Sequence, residues 1–183
     1  MNYNPIQTNS MPISSKLKNM LWKIINVTIF RLTPSKFSLF RKFRVMLLRI
    51  FGAHIDWNVS IHPLANIDYP WNLEMRNRSS LGERCWIYAM NHIFIDEFTC
   101  IGKDVYLLTG SHDIESVNFK LITKPITVGK GCWIATAAII LPGVEIGDYC
   151  VVAASSVVCK NVISHSVVGG NPAKFIKERI IKE

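Results

Sequence analysis

From Val128 onward an aliphatic side chain returns at every sixth residue: Val128, Ile134, Ile140, Ile146, Val152 and Val158. Two positions before each of the last five stands a mostly smaller side chain: Cys132, Ala138, Val144, Cys150 and Ser156. Six is a multiple of the strand period of two but not of the helical 3.6, so a helix would scatter these aliphatics around its surface. A flat antiparallel sheet alternates too, without returning at one fixed interval. A chain that runs a short strand, turns, and stacks each coil on the last does return, and hexapeptide repeats are the signature of such a β-solenoid. The frame begins near His54 and holds Ile55, Ile61, Ile67 and Leu73. It slips by two residues before Leu81 and by two more between Ile87 and Ile95, then runs through Ile101 and Leu107. Slips of this kind predict loops or bulges at a corner. Between roughly Gly110 and Pro125 the period lapses, and such an excursion is where binding or catalytic residues tend to sit.

A chain of 183 residues, 49% hydrophobic, suits one domain with a sizeable core. No apolar run reaches the roughly 18 residues that span a bilayer. The opening MNYNPIQTNS has neither a basic n-region nor a small-residue cleavage site, so no secretory signal is expected. The cysteines (Cys85, Cys100, Cys132, Cys150, Cys159) are odd in number and form no CxxC pair, which argues against a disulfide framework or a zinc ribbon. Cys132 and Cys150 stand eighteen residues apart, one full coil, and are expected to stack as small core fillers. We expect a reducing, cytoplasmic setting with inert thiols.

Residues 1–53 read as a polar arm followed by basic amphipathic helices. Leu17, Met20, Leu21, Ile24, Ile25 and Val27 alternate with Lys16, Lys18, Lys23 and Arg31 until Pro34 breaks the run. FRKFRVMLLRIFGA follows, with Gly52 as its stop. Residues 54–163 read as the solenoid with an excursion loop at 110–125. Residues 164–183 read as a turn at Gly169, Gly170 and Pro172 and a short basic C-terminal helix, AKFIKERIIKE, serving as a second cap. The N-terminal helices have two compatible readings: a cap on the end or side of the solenoid, and a basic patch lying peripherally on a membrane. The formal charge of +8 sits in the first fifty and last ten residues, leaving the middle slightly acidic. An anionic cofactor or lipid surface accounts for that distribution as well as nucleic acid, which we rank last.

IIxPGVxIGDxxVVxAxSVV, followed by NPAKFIK, resembles the C-terminal half of hexapeptide-repeat acyltransferases. The resemblance implies a left-handed parallel β-helix with three hexapeptides per triangular coil; the handedness comes from the family and not from the period. Ala135 and Ala153 stand where the family usually has Gly, a small change that should leave the turns intact. LLRIFGAHI, YPWNLEMRNRSSLGERCWIY and LLTGSHDIESVNFKLITKPI narrow the resemblance to the branch that O-acetylates sugars in polysaccharide assembly. The colanic acid acetyltransferases typify that branch, and maltose and galactoside acetyltransferases are its relatives. The match covers about residues 15 to 178.

The resemblance implies transfer of acetyl from acetyl-CoA to a sugar hydroxyl, in a homotrimer with sites between neighbouring solenoids. His112, within TGSHD, takes the place of the general base. A sugar hydroxyl is a very weak acid, so its proton must leave as the bond to the thioester carbonyl forms, and a neutral imidazole is available for that near pH 7. Backbone N–H groups would stabilise the oxyanion. Transfer is direct, so no cysteine need be a nucleophile. Asn91 corresponds to an Asn that holds the acceptor hydroxyl in galactoside-type relatives, although the polysaccharide branch more often has Asp; a corner-satisfying role is the alternative. Asp113 either orients the imidazole or ends a turn, and we favour the turn.

For the cofactor, position-matching to relatives gives Trp133 as an apolar wall near the pantetheine, Thr136 as a hydroxyl and Ala154 as a backbone N–H. Cys159 replaces a common Thr, and Lys160 matches a Lys that approaches the phosphates. Lys174 and Lys177 are either contacts of the 3′-phosphate or a solvated face. No P-loop or GxGxxG motif is present, which leaves nucleotide hydrolysis and dehydrogenation without support. No metal is expected: a carbonic-anhydrase-like enzyme on this fold needs three converging His ligands, and His54, His62, His92, His112 and His165 show no paired spacing. A non-catalytic scaffold or sugar-binding module is the other alternative.

Overall fold

The computed structural model describes residues 11–35 and 37–181. The six-residue frame folds as a parallel β-helix. Its first coil runs through β1 (His54–Ile55), β2 (Ser60–Ile61) and β3 (Asn66–Asp68), and its second through β4 (Leu73–Met75), β5 (Ser80–Leu81) and β6 (Trp86–Tyr88). The third comprises β7 (Ile93–Ile95), β8 (Cys100–Ile101) and β9 (Tyr106–Leu108), after which β10 (Gly110–His112) and β11 (Leu121–Thr123) leave the coil as an antiparallel hairpin. The helix resumes with β12 (Ile126–Val128), β13 (Trp133–Ile134) and β14 (Ile139–Ile140), then β15 (Glu145–Ile146), β16 (Val151–Val152) and β17 (Val157–Val158). It closes with β18 (Ser166–Gly170) and β19 (Ala173–Glu178). Strands stack into sheet A (β1-β4-β7-β12-β15), sheet B (β2-β5-β8-β13-β16-β18-β19) and sheet C (β3-β6-β9-β14-β17).

Register explains why the period had to be six. Ile61, Leu81, Ile101, Ile134, Val152 and Val168 share one inward column of sheet B, each over the last, and all are buried. Fully burying such a side chain stabilises by about 1.5–3 kcal/mol, so the stacked columns are the core. Cys132 and Cys150 stack as expected, with the Cys150 N–H 3.4 Å from Cys132 Sγ. Burial pushes the thiol of Cys85, another core filler, up to about 12.

The turns between strands place non-glycine residues in the left-handed region, among them Asp104, Ala137 and Ser155. That conformation costs an L-residue about 1–2 kcal/mol. Here these three donate their N–H groups to the preceding coil: Asp104 to the Glu83 carbonyl, Ala137 to Lys103 and Ser155 to Thr136, all at 2.9 Å. A hydrogen bond between coils therefore offsets the strain. Ala135 leaves its turn closed, its carbonyl accepting from the Ala138 N–H at 3.2 Å.

At the N-terminal end, α1 (Ile13–Ile25) runs into a π-helical turn (Asn26–Phe30), and α2 (Ser38–Ile50) follows the break at Pro34. Gly52, at φ +96°, ends α2. The first coil has no coil beneath it, so its carbonyls need donors from elsewhere. The helices supply them. Trp22 Nε1 donates to the Ile67 carbonyl (2.6 Å) and Asn26 Nδ2 to Ala65 (3.2 Å). Arg44 Nε donates to Ile61 (2.8 Å) and Arg49 Nη1 to Ile55 (2.6 Å). The expected cap is there, and polar side chains make it.

The C-terminal helix expected from AKFIKERIIKE does not form. Ala173–Glu178 is β19, turned back after Gly170 (φ +102°) to pair antiparallel with β18. The last strand of sheet B would otherwise expose a row of unpaired backbone groups, and pairing that edge outweighs the local helical preference of the segment.

Candidate active site

Departures from the period fall at a single corner, where the chain passes from sheet C to sheet A. There the inward residues are Ile67 then Met75, Ile87 then Ile95, Leu107 then Val128, with the longest gap filled by the hairpin. The corner is built upward from coil to coil by side-chain amides. Asn72 Nδ2 donates to the Ala89 carbonyl at 2.8 Å, supporting the turn that holds Asn91. Asn91 in turn clamps the root of the hairpin. Its N–H reaches Thr109 Oγ1 (3.0 Å), its Nδ2 reaches Thr123 Oγ1 (3.2 Å), and its Oδ1 accepts from the His92 N–H (2.7 Å). The Asn91 amide is thus turned to the chain's own groups, as a corner-satisfying residue would be. Gly110 begins the hairpin where a Cβ would stand 2.9 Å from Met90 Sδ and 3.1 Å from Tyr88 Cε1. Burial pushes the Tyr88 phenol up, with Tyr69 and Asp68 adding to the shift, so it stays protonated.

His112 ends β10, half-buried. Its Nδ1 lies 2.8 Å from the carbonyl oxygen of Phe119, across the hairpin. A carbonyl only accepts, so Nδ1 carries a proton, and in the neutral ring Nε2 keeps its lone pair. Phe119 can present that carbonyl because its backbone is left-handed, at φ +46°. Asp113 makes the turn: its N–H donates to the Lys120 carbonyl and its Oδ1 accepts from the Glu115 N–H. Phe119, Thr109 and Thr123 are functional neighbours that the sequence did not announce. A backbone carbonyl seven positions beyond His112 leaves no mark in side-chain chemistry.

The residues matched to the cofactor do not meet in one chain. Trp133 is exposed on the outer face of sheet B, and Thr136 and Ala154 are exposed in the turns from sheet B to sheet C. Cys159 and Lys160 are exposed beyond β17, at the corner from C to A that also carries the hairpin. Sheet C separates the two sets. Lys177 pairs with Val167, which continues the column of Trp133 and Val151, while Lys174 pairs with Gly169; both lysines are exposed on β19.

A cavity of about 610 Å³ opens between the helical cap and the outer face of sheet C, with Lys23, Arg31, Asn66, Asp68, Trp86 and Tyr106 in its lining. Trp86 Nε1 donates to Asp68 Oδ2 (2.8 Å), and Asp68 Oδ1 pairs with Lys23 Nζ (2.8 Å). That bond fixes the indole, which meets the Tyr106 ring edge-on at 5.8 Å. Tyr106 begins the strand that leads into the hairpin, yet His112 does not line this cavity. The sequence reading did not single out Trp86. Among the described residues no group of three His, Cys, Asp or Glu side chains could hold a metal ion.

Stacked coils of six-residue repeats with a histidine-bearing excursion define the class, and residues 125–160 match the family model of the bacterial transferase hexapeptide (six repeats). The chain is 40% identical over 167 residues to WcaF of Escherichia coli (strain K12), provisionally named a colanic acid biosynthesis acetyltransferase, with 91% of this chain and 90% of that protein covered. It belongs to that family of hexapeptide-repeat acetyltransferases. Its fold is that of a maltose O-acetyltransferase from Clostridium difficile 630 (TM-score 0.80, 22% identity, 93% of this chain and 90% of that one). It is equally that of a hexapeptide-repeat acetyltransferase from Vibrio cholerae O1 biovar eltor, solved with acetyl coenzyme A (TM-score 0.82, 21% identity, 94% and 93%).

Proposed function

We propose that the protein transfers acetyl from acetyl-CoA to a sugar hydroxyl of a cell-surface polysaccharide or its precursor, in the cytoplasm. The observation that carries this reading is the His112 imidazole, held at Nδ1 by the Phe119 carbonyl with Nε2 left as an acceptor. Nε2 takes the acceptor proton as the hydroxyl oxygen attacks the thioester carbon. The C–S bond then breaks, and the imidazolium returns its proton to the coenzyme A thiolate. General-base assistance of this kind is worth about 10²–10⁴-fold. The neutral thioester needs no acyl-enzyme, and the buried Cys85, Cys132 and Cys150 are poorly placed to form one.

We assign the cofactor to Trp133, Thr136 and Ala154 of one copy and Lys160 of another, in a homotrimer. The separation of the two sets by sheet C favours that arrangement, because a second copy can bring its hairpin corner against the exposed B-to-C turns of the first. Lys174 and Lys177 extend the same face toward the adenosine phosphates. Coenzyme A thiol released on adding acetyl-CoA with a panel of free and nucleotide-linked sugars tests the reading. Acceptor-dependent release is expected. Release with no acceptor in a broad panel would leave a scaffold or binding module as the better account.

A further inference from the structure

The outward face of α1 has the composition of a core. At 100° per residue, Ile13, Leu17, Met20, Leu21 and Ile24 fall within about 100° of arc, and every one is exposed, at 53% or more. The opposite face, packed on the first coil, holds Asn19, Trp22 and Asn26. A helix that merely packed on the solenoid would be turned the other way. This one cannot turn, because its polar side chains supply donors to the edge of the first coil: Trp22 and Asn26 hold the Ile67 and Ala65 carbonyls, and Asn19 Oδ1 accepts the Tyr69 N–H. The apolar stripe is thereby left facing out, and Val27, Ile29 and Leu32 prolong it beyond the helix.

Charge decides what covers it. Lys16 and Lys23 border the stripe on one side and Lys18 on the other. Nine Lys and Arg residues precede Asp56, and no Asp or Glu does. A second copy laid face to face would bring like charges together on both rims. An apolar strip with basic borders, on which only Lys23 is answered by a carboxylate (Asp68), matches the boundary between headgroups and acyl chains of an anionic bilayer, where such helices lie in the plane. Among the described residues no helix is long and apolar enough to cross a membrane, so the contact is peripheral. We infer that α1 is an interfacial membrane-docking helix whose Leu17, Leu21 and Ile24 enter the lipid while the exposed Lys16 and Lys18 meet anionic headgroups.

The test is co-sedimentation of the full-length protein with vesicles of phosphatidylcholine alone or enriched in phosphatidylglycerol, at low and high salt. Leu21→Glu and a Leu17→Glu/Ile24→Glu double variant are compared with wild type. All three positions are exposed, and an unchanged circular dichroism spectrum confirms that each variant is folded; should the double variant misfold, the single one carries the comparison. Wild type is expected to pellet with phosphatidylglycerol vesicles, more weakly at high salt and weakly with phosphatidylcholine alone. Each folded variant should lose roughly tenfold or more in affinity. Wild type remaining in the supernatant with both vesicles would overturn the inference, as would folded variants that pellet like wild type. A drop in the oligomeric mass of the variants, with no vesicle binding by wild type, would assign the face to a second copy and overturn it too.

Discussion

The corners from sheet A to sheet B and from B to C are alike in every coil. Inward residues there stand six apart, as in Ile95, Ile101 and Leu107 or Val128, Ile134 and Ile140. The corner from C to A varies: it takes a 3-10 turn at Pro70–Asn72, the Asn91 turn, the His112 hairpin and, after Val158, the short turn that holds Lys160. Regular corners are bound coil to coil by backbone hydrogen bonds, so a change in length would break the register of everything above it. The third corner projects outside the stack, where side-chain amides of Asn72 and Asn91 add to its backbone bonds, so it can lengthen without disturbing the columns. Residues that stabilise and residues that react are thus assigned to different corners of one triangle.

That division predicts a series of separable effects. Removing the base should be the most severe: His112→Ala is expected to lower kcat by about 10²–10⁴-fold while KM for acetyl-CoA moves little, measured by thiol release. Loosening the base without removing it comes next. Asn91→Ala deletes the clamp to Thr123 and should lower kcat by roughly tenfold through misplacement of His112, with cofactor KM and thermal midpoint nearly unchanged. If KM for the acceptor rises instead, Asn91 contacts substrate rather than positioning the hairpin. Lys160→Ala should raise KM for acetyl-CoA by up to about tenfold at low ionic strength, the worth of one exposed phosphate contact, and by less in high salt. An unchanged KM at low ionic strength would remove Lys160 from the phosphate site.

At regular-corner positions away from the proposed cofactor residues Thr136 and Ala154 the effects should be on stability alone. Gly131, at φ +63°, leaves a Cβ only 2.6 Å from the Tyr149 ring, so Gly131→Ala should destabilise by about 1–2 kcal/mol in chemical denaturation. Ala137→Gly relieves a left-handed alanine and should stabilise by under about 1 kcal/mol, the gain being reduced by the extra freedom of glycine in the unfolded chain. Neither should change kcat beyond the error of the assay.

How much of this was legible in the sequence follows the same division. The regular corners advertise themselves, because stacking forces Val128, Ile134 and Ile140 into one interval, and the coil could be read from them. His112 was legible as the candidate base through its place inside TGSHD at a break in the period. What holds it was not: the Phe119 carbonyl is a backbone group, brought round by a left-handed residue that no side-chain pattern marks. The ends were harder still. AKFIKERIIKE has helical composition, and only the open edge of sheet B makes its first half a strand. In α1 the apolar stripe is plain in the sequence, but its outward direction depends on donors required by carbonyls of the first coil, some forty residues away in the chain.

The account rests on Nε2 of His112 taking the acceptor proton in the transition state. The most direct measurement is the pH dependence of kcat for wild type beside His112→Ala, each shown to be folded and of equal oligomeric mass, on the best acceptor found. Wild type is predicted to lose rate on the acid side as the imidazole takes up a proton, and the variant to run at a low rate with no such limb. A folded variant that transfers acetyl within a few-fold of wild type, or that keeps the same acid limb, would contradict the mechanism.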